Sequence, residues 1–188
     1  MLELDSGSIS VDGINISTIP RQEVRSRLNT IPQEPFFLHG SVRENLDPLS
    51  ETTDERLAEV LRTVQLWDFF EARGGLDEDI NDETLSHGQR QLFCLARAVI
   101  KRSSILVMDE AGRSVDAETD ELMQGVLQEA FKMCTTIAIV HKLHTVLDFD
   151  RVVVLEKGLV RESGRPRELL ERPVSSFKAL YESMNSGE

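Results

Sequence analysis

The segment between residues 85 and 110 constrains the possible folds of this chain most strongly. Ser86 and Gln89 stand three residues apart, the spacing of a capping box, which begins a helix and satisfies two of its free N–H groups. Apolar residues then recur at helical spacing as far as Val99, which predicts a helix with one buried face. Residues 105–108 (ILVM) are apolar without alternation. Such a run indicates a strand buried on both faces of a parallel sheet, and therefore an α/β fold.

The predicted strand ends in two acids, Asp109 and Glu110. Open α/β sheets present their ligands at the carboxyl ends of the strands, and two carboxylates there suit a hydrated Mg²⁺ and the polarising of a water. A helix N-terminus with a serine and a glycine, as at Ser86 and Gly88, is a candidate anion site. Taken alone, Ser86 and Gln89 are better explained as an ordinary helix cap. The cap and the acids together, at this short interval, favour a functional site.

These two segments resemble motifs of one family. Residues 85–91 (LSHGQRQ) resemble the signature motif of ATP-binding cassette (ABC) transporters, and residues 105–110 (ILVMDE) resemble their Walker B strand. The resemblance implies an α/β, P-loop NTPase-like ABC ATPase cassette: a mostly parallel sheet flanked by helices, an antiparallel β edge and a helical signature subdomain over about residues 41–100. No G-x-x-x-x-G-K-[ST] sequence occurs. Residues 1–188 are therefore expected to form a partial nucleotide-binding domain that begins just after the P-loop.

Details within the motifs narrow the resemblance. Residues 86–92 (SHGQRQL) and 45–48 (NLDP) look most like the second cassette of the multidrug-resistance-associated (C) subfamily of exporters. His87 stands where the signature most often has glycine, and Gly112-Arg113 replaces the small residues usual in the D-loop. The resemblance therefore implies an exporter whose D-loop departs from the usual pattern of the family.

The resemblance implies roles in ATP hydrolysis for four residues that follow predicted strands. Glu110 would be the general base or would orient the attacking water, and Asp109 and Gln33 would serve Mg²⁺. His141, at the end of the strand predicted over residues 135–140, would bond the γ-phosphate. Without the later motifs, Gln33 would be equally well explained as a polar loop residue beside a buried aromatic cluster.

A second set of residues would act across an interface. By resemblance, Ser86, Gly88 and Gln89 would close on ATP held by the opposite cassette. Asp116 belongs to a stretch that resembles the D-loop, which touches the partner cassette. Asp116 could also simply cap the next helix. The expected ligands are ATP and Mg²⁺, and the expected partner is a second nucleotide-binding domain.

The loop at residues 33–38 is expected to dock on a transmembrane domain. In the family this loop contacts helices that protrude from the membrane. Phe36 and Phe37, if exposed, would suit such a contact, because contiguous apolar surface usually marks an interface.

Patterns elsewhere predict further elements. They are a hairpin around Asp12-Gly13, a capping box at Ser41 and Glu44, and a helix capped by Thr52 and Glu55. A solvated acidic linker is predicted at residues 77–79, a hairpin over residues 151–162, and terminal helices with Leu169, Leu170, Phe177, Leu180 and Tyr181 on their packed face.

Composition excludes several classes of protein. With Lys+Arg 21 against Asp+Glu 33, the formal charge is −12, which argues against a nucleic-acid partner. No apolar run approaches the roughly 20 residues needed to cross a bilayer, and no signal peptide is evident. Cys94 and Cys134 have neither metal spacing nor a secretory context. The expected setting is the cytoplasmic face of a membrane, as part of a transporter.

Two functions remain open from the sequence. The first is the later part of an ATPase cassette that powers export. The second is a non-catalytic truncated relic or interaction module, which could only lend its signature face to a partner. Because the P-loop supplies most phosphate contacts, the chain is predicted to be inactive on its own.

Overall fold

The structure, a computed structural model, describes residues 4–81, 83–109, 115–140 and 143–185, with the side chains of residues 143, 144 and 185 outside the description. The chain divides into two compact units, Met1–Ile139 and Val140–Glu188. Each unit is built around its own apolar cluster, so each is described by itself. None of the helices in the described ranges is long and apolar enough to cross a membrane.

The first unit combines short strands with helices around a parallel sheet. Its strands are β1 (Ser10–Val11), β2 (Ile14–Asn15), β3 (Leu28–Ile31), β4 (Gly40–Ser41), β5 (Asp79–Ile80), β6 (Ile105–Asp109) and β7 (Thr135–Ile139). Its α-helices are α1 (Arg21–Arg27), α2 (Val42–Leu46), α3 (Asp54–Thr63), α4 (Trp67–Glu71), α5 (His87–Ile100) and α6 (Ala117–Ala130).

The central sheet is parallel, as predicted, in the order β3-β6-β7. Ile31 pairs with Met108, and Met108 with Ala138, so the three strands run in register to a common edge. The next pair along β6 and β7 is Asp109 with Ile139. Residues that follow these strands therefore leave the sheet at the same edge.

The prediction of burial on both faces is met in part for β6, whose second face is half-buried at Ile105 and Val107, whereas the prediction that β7 is a buried strand is wrong. Leu106 is 0% exposed and belongs to the core that α5 and α6 complete. On the opposite face, Ile137 and Ile139 of β7 are each 55% exposed. Burial alternates along β7, where Ala138 is half-buried and packs against the core.

The helical region differs in detail from the prediction. Thr53, not Thr52, caps α3 by accepting a bond from the Arg56 N–H, while the N–H of Thr52 donates to Asp47. The predicted single helix is broken after Thr63, and Gln65 there has a φ of 55°. The break lets both Val64 and Leu66 enter the core, where they are 0% and 2% exposed.

The acidic stretch at residues 77–79 is solvated, as predicted, with the Asp77 side chain 81% exposed, but it is not a linker. A 3₁₀ helix (Gly75–Asp77) and strand β5 occupy it, and β5 pairs antiparallel with β4. Arg43 of α2 bonds the carboxylates of Asp77 and Asp54. The acids are thus used in tertiary contacts, which hydrophobic periodicity does not reveal.

Two other local predictions are confirmed. The first hairpin turns at Asp12 and Gly13, whose φ values of 50° and 79° are both positive, as a type I′ turn requires. The capping box of α2 forms between Ser41 and Glu44 in both directions.

The second unit pairs a hairpin with the terminal helices. Strands β8 (Val152–Glu156) and β9 (Leu159–Gly164) are antiparallel, and α7 (Pro166–Glu171) and α8 (Ser176–Asn185) follow them. Glu162 accepts bonds from the Ser175 hydroxyl and the Phe177 N–H, which ties β9 to the start of α8. Leu169 and Phe177 are buried as predicted, but Leu180 is 48% exposed and lies outside this core.

Candidate nucleotide site

Two of the predicted hydrolysis residues leave the sheet at its common edge. Gln33 follows the end of β3 by two positions, and Asp109 is the last residue of β6. Both residues are exposed. An amide oxygen and a carboxylate are hard oxygen donors of the kind that Mg²⁺ accepts. The donor chemistry therefore fits the predicted ion.

The other two predicted hydrolysis residues lie outside the residues that the structure describes. Glu110 directly follows β6 and His141 follows β7 by two positions in the sequence, but both lie outside the described residues. Among the residues that are described, no three His, Cys, Asp or Glu side chains form a metal-binding group. The Mg²⁺ role of Asp109 and Gln33 and the catalytic roles of Glu110 and His141 stay predictions.

The signature segment forms the predicted capping box at the N-terminus of α5. The Ser86 hydroxyl accepts a bond of 3.2 Å from the Gln89 N–H, and the Gln89 side-chain oxygen accepts one of 2.9 Å from the Ser86 N–H. Ser86 and His87 are exposed. Because the first N–H groups of a helix have no intrahelical acceptor, those of His87 and Gly88 are the natural donors to an anion here.

Gly88 lies against the start of α6. A Cβ atom at this position would stand 3.2 Å from the Thr119 hydroxyl oxygen and 3.4 Å from its methyl carbon. Such contacts are tighter than ordinary van der Waals packing. Glycine at position 88 thus allows the signature segment to approach the helix that follows the Walker B strand.

Asp116 caps α6, as the simpler of its two interpretations predicts. Its carboxylate accepts bonds from the Thr119 N–H (2.9 Å) and the Thr119 hydroxyl (2.8 Å). These bonds lower the pKa of Asp116, because they favour the charged form. Its contact with a partner cassette stays a prediction.

The loop at residues 33–38 exposes only part of its predicted apolar surface. Phe36 is 61% exposed and Leu38 is 51% exposed. Phe37 is half-buried, with its ring centroid 5.3 Å from that of Phe93 in α5, so the expectation that Phe37 is exposed is wrong. The Phe37 ring packs against the core, where Phe93 also contacts Phe70.

Three residues that the sequence did not mark as functional hold this loop. Gln91 and Arg97 of α5 donate to backbone carbonyls of the loop, and Asn45 of α2 bonds Leu38. Burial lowers the pKa of the Arg97 guanidinium, and the neighbouring Cys94 partly offsets this lowering. The sequence signal that could have identified Gln91 and Arg97 is that both are polar residues within the mostly apolar signature helix.

A parallel sheet with oxygen-donor residues at its carboxyl edge, in the same unit as an exposed and capped helix N-terminus, is an α/β arrangement that suits an anionic ligand. The family model described as ABC transporter matches residues 1–113. This chain belongs to the ABC transporter family, and the prediction of family and fold class is confirmed.

Curated relatives agree with this assignment. The chain is 49% identical to ABC multidrug transporter B of Aspergillus fumigatus, over 97% of this chain and 13% of the relative. It is 50% identical to an ABC-type transporter of Gibberella zeae, over 98% and 13%. It is 42% identical to ABC transporter C family member 3 of Dictyostelium discoideum, over 97% and 13%, as the resemblance to the C subfamily predicts. The chain thus spans about an eighth of the length of these relatives, at 13% of each.

Proposed function

We propose that residues 1–188 are the part of an ABC ATPase cassette that follows the P-loop, and that they couple ATP binding and hydrolysis to transmembrane export. The observation that supports this most directly is the capping box of Ser86 and Gln89 at an exposed N-terminus of α5. That helix belongs to the same compact unit as the sheet edge with Gln33 and Asp109. The cassette family, the helix terminus and the sheet edge all favour a nucleotide phosphate as the ligand.

In this proposal the sheet edge handles metal and water. Asp109 and Gln33 contribute oxygen donors to Mg²⁺, which when bound neutralises charge on the phosphates. Glu110 accepts a proton from the attacking water or orients it, and His141 donates a hydrogen bond to the γ-phosphate. Most of the acceleration in phosphoryl transfer comes from such positioning and charge stabilisation.

The signature face acts on a second cassette. Ser86, Gly88 and Gln89 close on ATP held by the opposite nucleotide-binding domain, and the α5 N-terminus contributes N–H donors. The exposed side chains of Phe36 and Leu38 dock on helices of a transmembrane domain. This arrangement places the domain at the cytoplasmic face of a membrane.

Substitution of Ser86 tests the trans role of the signature. The experiment uses a chimeric transporter in which residues 1–188 replace the matching segment of the Aspergillus fumigatus relative. Ser86→Arg should abolish ATPase activity, because the long side chain occupies the space at the helix terminus that the γ-phosphate must enter. Binding of a fluorescent ATP analogue to the P-loop of the same cassette should persist.

A matched control separates this effect from loss of a helix cap. Thr53→Arg removes the exposed N-cap of α3, at a cost to stability of about 0.5–2 kcal/mol, but lies outside the signature. Its ATPase activity should stay near that of the unsubstituted chimera. Unchanged turnover in Ser86→Arg would contradict the role proposed for the signature.

The second candidate is a non-catalytic piece that lends its signature face to a partner. It requires only the exposed Ser86 terminus of α5, which the 188 residues contain. An inactive chimera whose signature still supports ATP binding by the opposite cassette would favour it over the ATPase.

A further inference from the structure

Side chains of α5 donate hydrogen bonds to the backbone of the loop at residues 33–38. The inference drawn from these bonds rests on the function proposed above. We propose that Gln91 and Arg97 are positioning residues that fasten this loop to the signature helix. Through them, a displacement of the loop by the transmembrane part moves the Ser86 terminus of α5, and nucleotide closure at Ser86 moves the loop.

Gln91 holds the first residue of the loop. Its side-chain amide donates a bond of 3.0 Å to the backbone carbonyl of Gln33, and the residue is 2% exposed. Gln91 lies in the second turn of α5, five positions after Ser86. The backbone of the proposed Mg²⁺ residue is thus attached to the helix whose terminus carries the signature.

Arg97 holds the middle of the loop. Its guanidinium donates to the Phe36 carbonyl at 2.5 Å, and it lies 5.3 Å from the Phe36 ring centroid and 5.1 Å from those of Phe37 and Phe93. A planar guanidinium can bond several acceptors in fixed directions while it stacks near aromatic rings. Lysine could not reproduce this set of contacts.

Asn45 connects Arg97 to the end of the loop. Arg97 donates to the Asn45 carbonyl at 2.6 Å and to its side-chain oxygen at 2.8 Å. The Asn45 side chain in turn accepts from the Leu38 N–H at 2.8 Å and donates to the Leu38 carbonyl at 2.9 Å. The loop is therefore bonded at its start, middle and end, each time by α5 directly or through one residue.

This spacing makes the loop and the helix move together. Gln91 and Arg97 are six residues apart, so their attachment points are separated by about 9 Å along the helix axis. Between them Phe93 and Leu95 are 0% exposed and anchor α5 in the core. A loop attached at two separated points cannot tilt on the helix without breaking a bond, while the exposed Phe36 and Leu38 side chains remain accessible to a partner.

A purely structural role explains Gln91 poorly. Its side-chain oxygen is buried and has no hydrogen-bond partner among the described residues, which is unfavourable for folding. An apolar side chain of similar size would fill the same space without that penalty. Replacing Gln91 by an apolar residue removes its bond to the Gln33 carbonyl.

Gln91→Met in the chimeric transporter therefore removes the link to Gln33 together with the buried, unpartnered side-chain oxygen of Gln91. We expect kcat for ATP hydrolysis to fall about fivefold or more while KM for ATP stays within about twofold, because the Gln33 backbone loses its anchor and the P-loop is untouched. Gln124→Met, a half-buried glutamine on α6, is the matched control and should behave like the unsubstituted chimera.

Hydrogen exchange measures the coupling itself. In the unsubstituted chimera, trapping with ATP and vanadate should slow exchange of amides in both residues 86–90 and residues 33–38. In Gln91→Met only residues 86–90 should respond. Arg97→Met should show the same loss, with Arg62→Met as control, because Arg62 stacks on Trp67 and is not among the loop contacts.

The outcomes distinguish the two levels of proposal. Normal kcat and a normal loop response in Gln91→Met, with Ser86→Arg inactive, would overturn the coupling but leave the proposed function intact. ATPase activity that survives Ser86→Arg, or a chimera without activity, would overturn the proposed function and this inference with it.

Discussion

At the scale of residues, glycine at position 88 allows the N-terminus of α5 to lie close to the start of α6. The contact of position 88 with Thr119 connects the signature to the helix capped by Asp116. The Thr119 hydroxyl cannot rotate away freely, because it donates to the Asp116 carboxylate. The close approach therefore depends on glycine for packing, apart from any contact with a phosphate.

Gly88→Ala should accordingly destabilise the domain by about 1 kcal/mol through overpacking. The measurement is urea unfolding of a hybrid cassette that joins residues 1–188 to the P-loop segment of the Aspergillus relative. Thr119→Ala should relieve part of that cost in the double variant, because it removes the nearest atom.

Gly125→Ala is the matched control, since a Cβ there meets nothing within 4 Å. It lies inside α6 and should stabilise the hybrid cassette by about 0.5–1 kcal/mol. An equal response to alanine at positions 88 and 125 would contradict the packing argument.

At the scale of elements, helix α5 and strand β7 differ in how much of their side-chain surface is buried. Phe93 and Leu95 of α5 are both fully buried although they lie on different faces of the helix. Strand β7 keeps Ile137 and Ile139 more than half exposed on the face opposite the core. Exposed β-branched residues in a row on a strand are a site of association between chains.

The purified 188-residue chain should therefore aggregate, and Ile137→Thr with Ile139→Thr should reduce this without unfolding the core. Threonine keeps the β-branched shape that suits a strand while it lowers the apolar area of the exposed face. Analytical ultracentrifugation of both forms checks the prediction.

Val153→Thr with Leu155→Thr on β8 serves as the comparison, since those side chains are also exposed but lie in the second unit. A sharp, reversible melt of a monodisperse wild-type monomer would show that the exposed face of β7 does not cause aggregation.

At the scale of the whole molecule, the groups proposed to handle metal and water are separated from the group that would hold the phosphates. Gln33, Asp109, Glu110 and His141 occur in the 188 residues, whereas no P-loop sequence does. A base without a bound γ-phosphate accelerates little, because positioning supplies most of the rate. Two copies of the chain would bring two signatures and no P-loop.

The purified 188-residue chain should consequently release no phosphate from ATP above background, and Glu110→Gln should change nothing in it. In the chimeric transporter the same substitution should stop turnover and leave ATP bound. Phosphate release from the four proteins is the measurement. Activity of the isolated chain that disappears with Glu110 would show that the P-loop is not required.

The sequence by itself determined the features that depend on neighbours along the chain. The capping boxes at Ser86 and Ser41 and the turn at Asp12-Gly13 follow from residues at most three positions apart, so their geometry is local. The order of a helix, an apolar strand and a terminal Asp109 likewise predicted that Asp109 ends a strand of the parallel sheet, as it does. The helix cap of Asp116 was one of two interpretations that local sequence allowed.

Only the tertiary structure decided which surfaces are covered and which distant residues meet. Periodicity could not reveal that Ile137 and Ile139 face outward, because coverage depends on elements far away in sequence. It could not separate exposed Phe36 from half-buried Phe37. Nor could it bring Gln91 to Gln33 across 58 positions. Contacts at that separation are set by how helices and strands pack, and no local pattern encodes them.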